Sequence, residues 1–414
     1  MNRIEQRLAD ALTARAGAVD VSSVHPLPFV RARREPWSGS RRKWLAPVAA
    51  AVSITLIAAV AALVSGLAPK ASHDRPGAQT ATFRGELMDV DALSAADAWT
   101  VGMVQVGPTS ANKLGREPLI MHWDGSTWRR TAAPANAGGG VLMSVSGSAA
   151  DGLWAVGYWE KTAKHPQLPF IARWNGKRWQ QVHFAGAAKA GMLWNVSVRS
   201  ATDAWAVGSA GPRGALILHW NGRTWQKLPV ARPGRAQLLT NVTAISANDA
   251  WAVGINGDAN LIMHWNGSAW KVVRGPNPHN RSLNLSSVIS TPSGEVWAAG
   301  YGPYPKPGVV VIRWDGSAWH KMRGLRVPDS YALDGIAENS PDDIWVSGWG
   351  DNSLVLMHWN GANWSRPAGL TRKSNGYLYG LSFTSASDGW VVGNTGAAPL
   401  ILHWNGTSWK KVFN

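Results

Sequence analysis

Two patterns of apolar residues divide the chain, one unbroken and one recurring. Residues 44–69 (WLAPVAAAVSITLIAAVAALVSGLAP) run for 26 positions without a charge, more than the ~20 that a helix needs to cross a bilayer. No polar face interrupts the run, which predicts one transmembrane helix over 44–68. Arg31, Arg33, Arg34, Arg41, Arg42 and Lys43 crowd the side before it, whereas the far side opens with Lys70 and Arg75. The positive-inside rule then puts residues 1–43 in the cytoplasm and the remainder outside the cell. A cleavable signal peptide carries a shorter apolar run and leader, and a lipoprotein needs a cysteine, so an uncleaved signal anchor is expected. In the tail, Ile4, Leu8 and Leu12 share one stripe of a short amphipathic helix that ends before Pro26 and Pro28. Residues 69–82 form a linker.

From 83 to 414 the apolar pattern recurs at a period of roughly 45–55 residues, in the range of propeller blades. Each copy opens with Leu-x-x-(Val/Ile/Leu), at Leu87, Leu142, Leu193, Leu239, Leu285, Leu333 and Leu378. A Trp-x-x-Gly strand follows, with Trp at 99, 154, 205, 251, 297, 345 and 390. Next comes an apolar run closed by (His/Arg)-Trp-(Asn/Asp)-Gly-x-x-Trp, its paired tryptophans at 123/128, 174/179, 220/225, 265/270, 314/319, 359/364 and 404/409. Asn-Gly or Asp-Gly between apolar runs marks a hairpin, because both residues accept the positive φ of a tight turn. Ser-x-x-Asp ahead of the first Trp, as at Ser246 and Asp249, turns the chain between strands one and two. Four short strands per copy and seven copies predict an all-β, seven-bladed β-propeller of four-stranded antiparallel blades, preceded by one transmembrane helix and a short cytosolic tail. Closure is expected from side-chain packing of blade one on blade seven, and residues 80–85 (TATFRG) offer a further strand for clasping the last blade.

Composition narrows the chemistry. There is no cysteine, which removes disulfides, thiolate nucleophiles and Cys-ligated metals. Of 26 tryptophans, 21 hold the three repeated positions, a distribution that points to packing rather than to a ligand platform. The histidines of His-Trp (122, 219, 264, 358 and 403) occur once per blade, too far apart around a ring to share an ion, and Arg173 and Arg313 replace two of them. No metal site and no cofactor are therefore expected. Acidic residues recur at turn positions (Asp97, Asp203, Asp249, Glu295, Asp343 and Asp388), where backbone capping explains them. The net charge is +16. Nine basic and four acidic residues lie in 1–43, which leaves 32 against 21 for the rest. In an extracytoplasmic setting this excess suits acidic wall polymers or lipid head groups, and no nucleic acid is expected.

The (Asn/Asp)-Gly-x-x-Trp hairpins, from Asp124–Trp128 to Asn405–Trp409, resemble those of bacterial β-propellers with Asp-box-like or kelch-like repeats, the galactose-oxidase-like class. The anchor resembles those of single-pass actinobacterial membrane proteins. The Asp-box has a further residue between Asp and Gly, and the kelch Gly-Gly doublet is missing. The copper centre that a galactose-oxidase likeness implies depends on a Cys-linked Tyr, and the chain has no Cys. The Arg-Ile-Pro of sialidases, a Gly-x-Ser-x-Gly elbow, a His-Glu-x-x-His helix and a phosphate loop are also missing. These absences argue against an enzyme, and no catalytic residue is assigned.

The expected function is a membrane-tethered, non-catalytic binding or scaffolding module for an extracytoplasmic protein, peptide or glycan. Two alternatives are the sensor half of a transmembrane signalling protein and a glycan-active enzyme. The two-to-three loops and the four-to-one loops share one face of the ring, and every Tyr lies in or beside them, as do the non-repeat Trp159, Trp194 and Trp349. Tyr, Trp and Arg dominate interface hot spots, and aromatic rings also suit sugars. The expected ligand site is thus Tyr158, Trp159, Tyr301, Trp349 and Tyr379 around the central opening, with Arg372 and Lys373 supplying charge for an acidic partner.

Overall fold

The computed structural model describes residues 83–413, apart from 108–114, 136–138, 149, 160–165, 185–189, 212–213, 231–236, 258, 277–282, 303–307, 328–331, 341, 351–352 and 371–375. The expected tail, span and linker thus lie outside the described residues. No helix of the described residues is long and apolar enough to cross a membrane.

Seven four-stranded sheets follow one another, each with its strands hydrogen-bonded in chain order and every pairing antiparallel. This is the expected seven-bladed propeller. The inner strands are Gly85–Ser94, Val141–Ser148, Met192–Ser200, Gln237–Ser246, Asn284–Ser290, Ala332–Ser340 and Gly376–Ser385. Strands three and four join through the Asn/Asp-Gly turn, in which the Asn or Asp side chain accepts two backbone amides, as Asn221 does from Arg223 and Thr224 at 3.0 and 2.9 Å. The Gly takes φ near 88° at Gly125, Gly222 and Gly406, where a β-carbon would be strained.

The repeated tryptophans form a triad across each blade interface. Buried Trp205 of blade three meets both hairpin tryptophans of blade four, Trp265 and Trp270, each at 5.1 Å between centroids. Trp99, Trp154, Trp251 and Trp345 do the same with the hairpin pairs of blades two, three, five and seven. Trp297 shares an apolar cluster with Trp359 and Trp364. One ring lies edge-on in the triads of Trp99, Trp154, Trp205, Trp251, Trp345 and Trp390, the arrangement that the quadrupole favours. On the other face of the strand-two Trp lies the His of the same blade, stacked at 4.1–4.3 Å, as on Trp99, Trp205, Trp251 and Trp345. Its Nε2 is hydrogen-bonded to the acid of the turn: Asp97, Asp203, Asp249, Asp343 and Asp388, at 2.7–2.9 Å. In the blades with Arg, Arg173 lies over Trp154 and Arg313 over Trp297, the latter paired with Glu295 at 2.6 Å. The turn carboxylates thus hold the ring that covers the tryptophan, rather than capping backbone alone.

Closure repeats the same chemistry. Trp390 of blade seven meets Trp123 and Trp128 of blade one at 5.0 and 5.1 Å, and the cluster there joins Leu87 and Val90 to Ile401 and Val412. Among the described residues no fifth strand clasps the last blade. Phe83 packs on Phe413 instead, 6.2 Å between centroids, and the Gly85 amide donates to the Ala397 carbonyl at 2.9 Å. If this interface is equivalent to the others, Trp390→Ala should destabilise the propeller by about 3–5 kcal/mol, as much as Trp205→Ala, in denaturant unfolding. A near-neutral Trp390→Ala beside a costly Trp205→Ala would show a ring not closed by packing.

Candidate functional site

One register feature builds the axis of the ring. In every inner strand the pairing slips directly after the opening leucine, between Leu87 and Asp89, Leu142 and Ser144, Leu193 and Asn195, Leu239 and Asn241, Leu285 and Ser287, Leu333 and Gly335, and Leu378 and Leu381. The slip is a β-bulge, with one unpaired residue per blade: Met88, Met143, Trp194, Thr240, Ser286, Asp334 and Tyr379, the last with Gly380 beside it. Opposite the leucine the two strands pinch together. A β-carbon on Gly102, Gly208 or Gly348 would lie 1.9–2.0 Å from the facing carbonyl oxygen, which explains the repeated Gly of Trp-x-x-Gly.

The bulged residues line a central cavity of about 560 Å³. They face it with six residue types, methionine occurring twice, while in blades one to four the residue after the bulge ties neighbouring blades. Asp89 accepts the Val145 amide (3.1 Å), Ser144 that of Val196 (3.3 Å), Asn195 that of Val242 (3.1 Å) and Asn241 that of Val288 (3.3 Å). A second row repeats the latch two positions on, from Asp91 to Gly147 (2.8 Å), Ser146 to Val198 (3.1 Å), Ser197 to Ala244 (3.1 Å) and Ser382 across the closure to Ala92 (3.1 Å). Where Gly335 stands, Ser347 donates to the Tyr379 carbonyl at 2.7 Å instead. Where Gly380 stands, Asp89 turns its other oxygen to its neighbour's amide on Val90, at 2.9 Å.

The described lining carries three carboxylates, Asp89, Asp91 and Asp334, and no Lys, Arg or His. That is an acidic opening in a basic protein. Burial pushes Asp89 up to about 6 against hydrogen bonds from Ser144 and the Val145 and Val90 amides. Burial, with the nearby charges of Asp89 and Asp97, pushes Asp91 up to about 7 despite the Gly147 amide. Asp334 is pushed up to about 6 by burial and receives a hydrogen bond from Trp349. The Tyr301 hydroxyl is raised by burial and then by the charge of Asp334, and that of Tyr379 by burial and then by Glu86, Asp334 and Tyr377. No group of three or more metal-ligating side chains converges among the described residues. A second cavity, of about 490 Å³, lies by the outer edge of blade one, where Arg130 already pairs with Glu117 at 3.7 Å.

Of the residues singled out from sequence, Tyr301 and Tyr379 line the central cavity. Trp349 reaches it through Asp334 and meets Tyr377 edge-on at 5.1 Å. Tyr158 and Trp159 end the second strand of blade two outside that lining: Arg116 lies over Tyr158 at 5.5 Å, and Trp159 packs on the apolar cluster between blades one and two. Arg372 and Lys373 lie outside the described residues. Asp89, Asp91 and Asp334 were not singled out. For Asp89 and Asp334 the signal was in the opening motif: in Leu-x-x-(Val/Ile/Leu) the first x ranges over Met, Trp, Thr, Ser, Asp and Tyr, and the second is always Gly or a short polar residue; Asp91 lies just after the motif.

No protein-family model matches the sequence, and no curated protein matches it. Among solved structures the chain is similar to YCF48 bound to a D1 peptide, at 18% identity and a TM-score of 0.55, over 79% of this chain and 94% of that one. YCF48 from Cyanidioschyzon merolae gives 17% and 0.54, over 78% and 97%. A PL25 ulvan lyase bound to -[GlcA(1-4)Rha3S]- gives 12% and 0.50, over 79% and 95%. These likenesses establish the propeller fold.

The buried carboxylates give the ring an inverted pH response. Asp89, Asp91 and Asp334 bind protons more tightly folded than unfolded, so the stability they contribute is complete below about pH 4 and is lost as pH rises through about 6–7. Glu338, pushed up to about 7 by burial and then by Glu295, adds to the same slope. Asp343 and Asp388 act oppositely: burial opposes their charge, yet bonds from His358 and His403 outweigh it, and their contribution is lost only as pH falls below the ordinary aspartate range. The melting temperature should therefore fall by several degrees from pH 5 to pH 8, and Asp91→Asn, which keeps an acceptor for the Gly147 amide, should flatten the decline. A melting temperature that is level or rises over that range would contradict the assignment.

Proposed function

We propose that the chain is a non-catalytic, membrane-tethered extracytoplasmic binding module that holds a peptide-like ligand at the central opening. The observation that carries this reading is the division of labour in the inner strands. The residues that build the ring repeat from blade to blade, whereas the bulged residues around the axis, Met88 and Met143 apart, change from one blade to the next. The cavity mixes apolar and aromatic side chains with Ser, Thr, Asn and Asp, and a concave site with convergent polar groups is the ordinary form of a ligand site. Two of its carboxylates, Asp89 and Asp91, are engaged by amides of blade two, which supports binding over catalysis. The peptide reading draws support from YCF48, a propeller solved with a peptide bound. The uncharged run at 44–69 and the basic cluster before it support the tether and its orientation.

Ser286 faces the cavity from its bulge, so Ser286→Trp should fill part of it without disturbing a triad. On a peptide and glycan array probed with the full chain in detergent, peptides captured by the wild type should bind the variant at least tenfold more weakly, at an unchanged melting temperature. Capture that survives Ser286→Trp would place the site elsewhere. For the tether, protease added to intact cells should remove the propeller and spare the tail; a protected propeller would overturn that orientation.

A further inference from the structure

Blades five to seven make one corner of the cavity unlike the rest. Asp334 projects from its bulge there, and Tyr301 and Tyr379 share the lining with it. No cation pairs with Asp334 among the described residues, and the one hydrogen bond it receives comes from the indole of Trp349. The aromatic surface does not stop at the lining. Tyr379 stacks on Tyr377 with rings 5.9 Å apart and 2° from parallel, and Trp349 meets Tyr377 edge-on. Tyr377 is 39% exposed, one of two large apolar side chains so open among the described residues. A continuous aromatic strip, Tyr377, Tyr379 and Trp349, thus leads to a carboxylate that has no counter-ion among the described residues.

Resting on the binding role proposed above, we infer that this corner receives the side-chain ammonium of a lysine in a peptide ligand, with its aliphatic stem along Tyr377 and Tyr379 and its charge against Asp334. A lysine carries a compact charge at the end of four methylenes, which suits an aromatic entry leading to an acid. Aromatic faces attract such a cation as well. An arginine gains most from a two-pronged bond to both carboxylate oxygens, and here the Trp349 indole already takes one of the acceptor positions. An amino sugar holds its ammonium directly on a polar ring, with no apolar stem to lay on the strip.

The test is calorimetry on the full chain in detergent micelles, with acetyl-Gly-Lys-Gly-amide, its norleucine and arginine counterparts, and a glucosamine oligomer. The lysine peptide should bind at least tenfold more tightly than the norleucine peptide and more tightly than the other two. Asp334→Asn keeps an acceptor for Trp349 and removes a buried charge. It should erase the preference for lysine over norleucine while leaving the melting temperature level or higher, an outcome that loss of folding cannot mimic. Tyr377→Ala should weaken the lysine and norleucine peptides alike. No measurable binding of the lysine peptide, equal binding of norleucine, tighter binding of arginine or the glucosamine oligomer, or a preference retained in Asp334→Asn would each overturn the inference. If norleucine binds equally and Ser286→Trp still blocks it, the cavity stands as the site and the cation falls. If lysine binds Ser286→Trp as tightly as the wild type, the cavity reading itself falls.

Discussion

The structure depends on the contact of one strand-two tryptophan with two hairpin tryptophans of the next blade. A buried Trp removes about 150–250 Å² from water, and three of them at each interface supply apolar area that no other residue type matches per position. The chain has no cysteine with which to staple its ends, and a propeller must close between its first and last blades. Closure here is by the same triad, Trp390 against Trp123 and Trp128, so the junction between the ends of the ring is an interface of the same make as the others. The stacked His or Arg covers the outer face of the triad, and the turn carboxylate orients it.

Because the triads hold strand two of one blade to the outer hairpin of the next, the inner strands are free to carry a distortion. Each has a bulge at the same place, made possible by a facing glycine that lets the backbones approach. The bulge re-aims one side chain per blade toward the axis. In blades one to four the next residue returns to the frame as a latch onto the neighbouring blade. Structure and recognition are therefore interleaved residue by residue: Asp334 faces the opening and Gly335 packs beneath the Tyr379 carbonyl, while Trp194 faces the opening and Asn195 binds the Val242 amide.

The architecture was legible in the sequence because every structural device repeats. Leu-x-x-(Val/Ile/Leu), Trp-x-x-Gly and (Asn/Asp)-Gly-x-x-Trp each occur seven times, and repetition reports blade number, strand order and the packing role of tryptophan. The site was less legible for the same reason: it consists of the positions that do not repeat. Aromatic residues outside the motif include Tyr301 and Tyr379, which line the cavity, and also Tyr158 and Trp159, which pack by blade two. Asp89, Asp91 and Asp334 do not stand out in the same way, because an acid inside a strand opening gains its meaning from the bulge, and the trace of that bulge, a leucine and a valine three residues apart and both buried, reads first as a motif spacing. The turn acids were legible as turn residues but not as partners of His122 or His358, since the pairing joins strands two and three.

The central claim is that equivalent interfaces make a single cooperative ring, with no weak junction at its ends. Native-state hydrogen exchange of the inner-strand amides tests it most directly, because Val90, Val145, Val196, Val242 and Val288 occupy the same position in successive blades, the last four latched by the preceding blade and Val90 held by Asp89 of its own strand. The account predicts that these amides exchange with one common opening free energy equal to that of global unfolding. A graded series, with Val90 opening first and protection rising toward the middle blades as in an open solenoid, would contradict it.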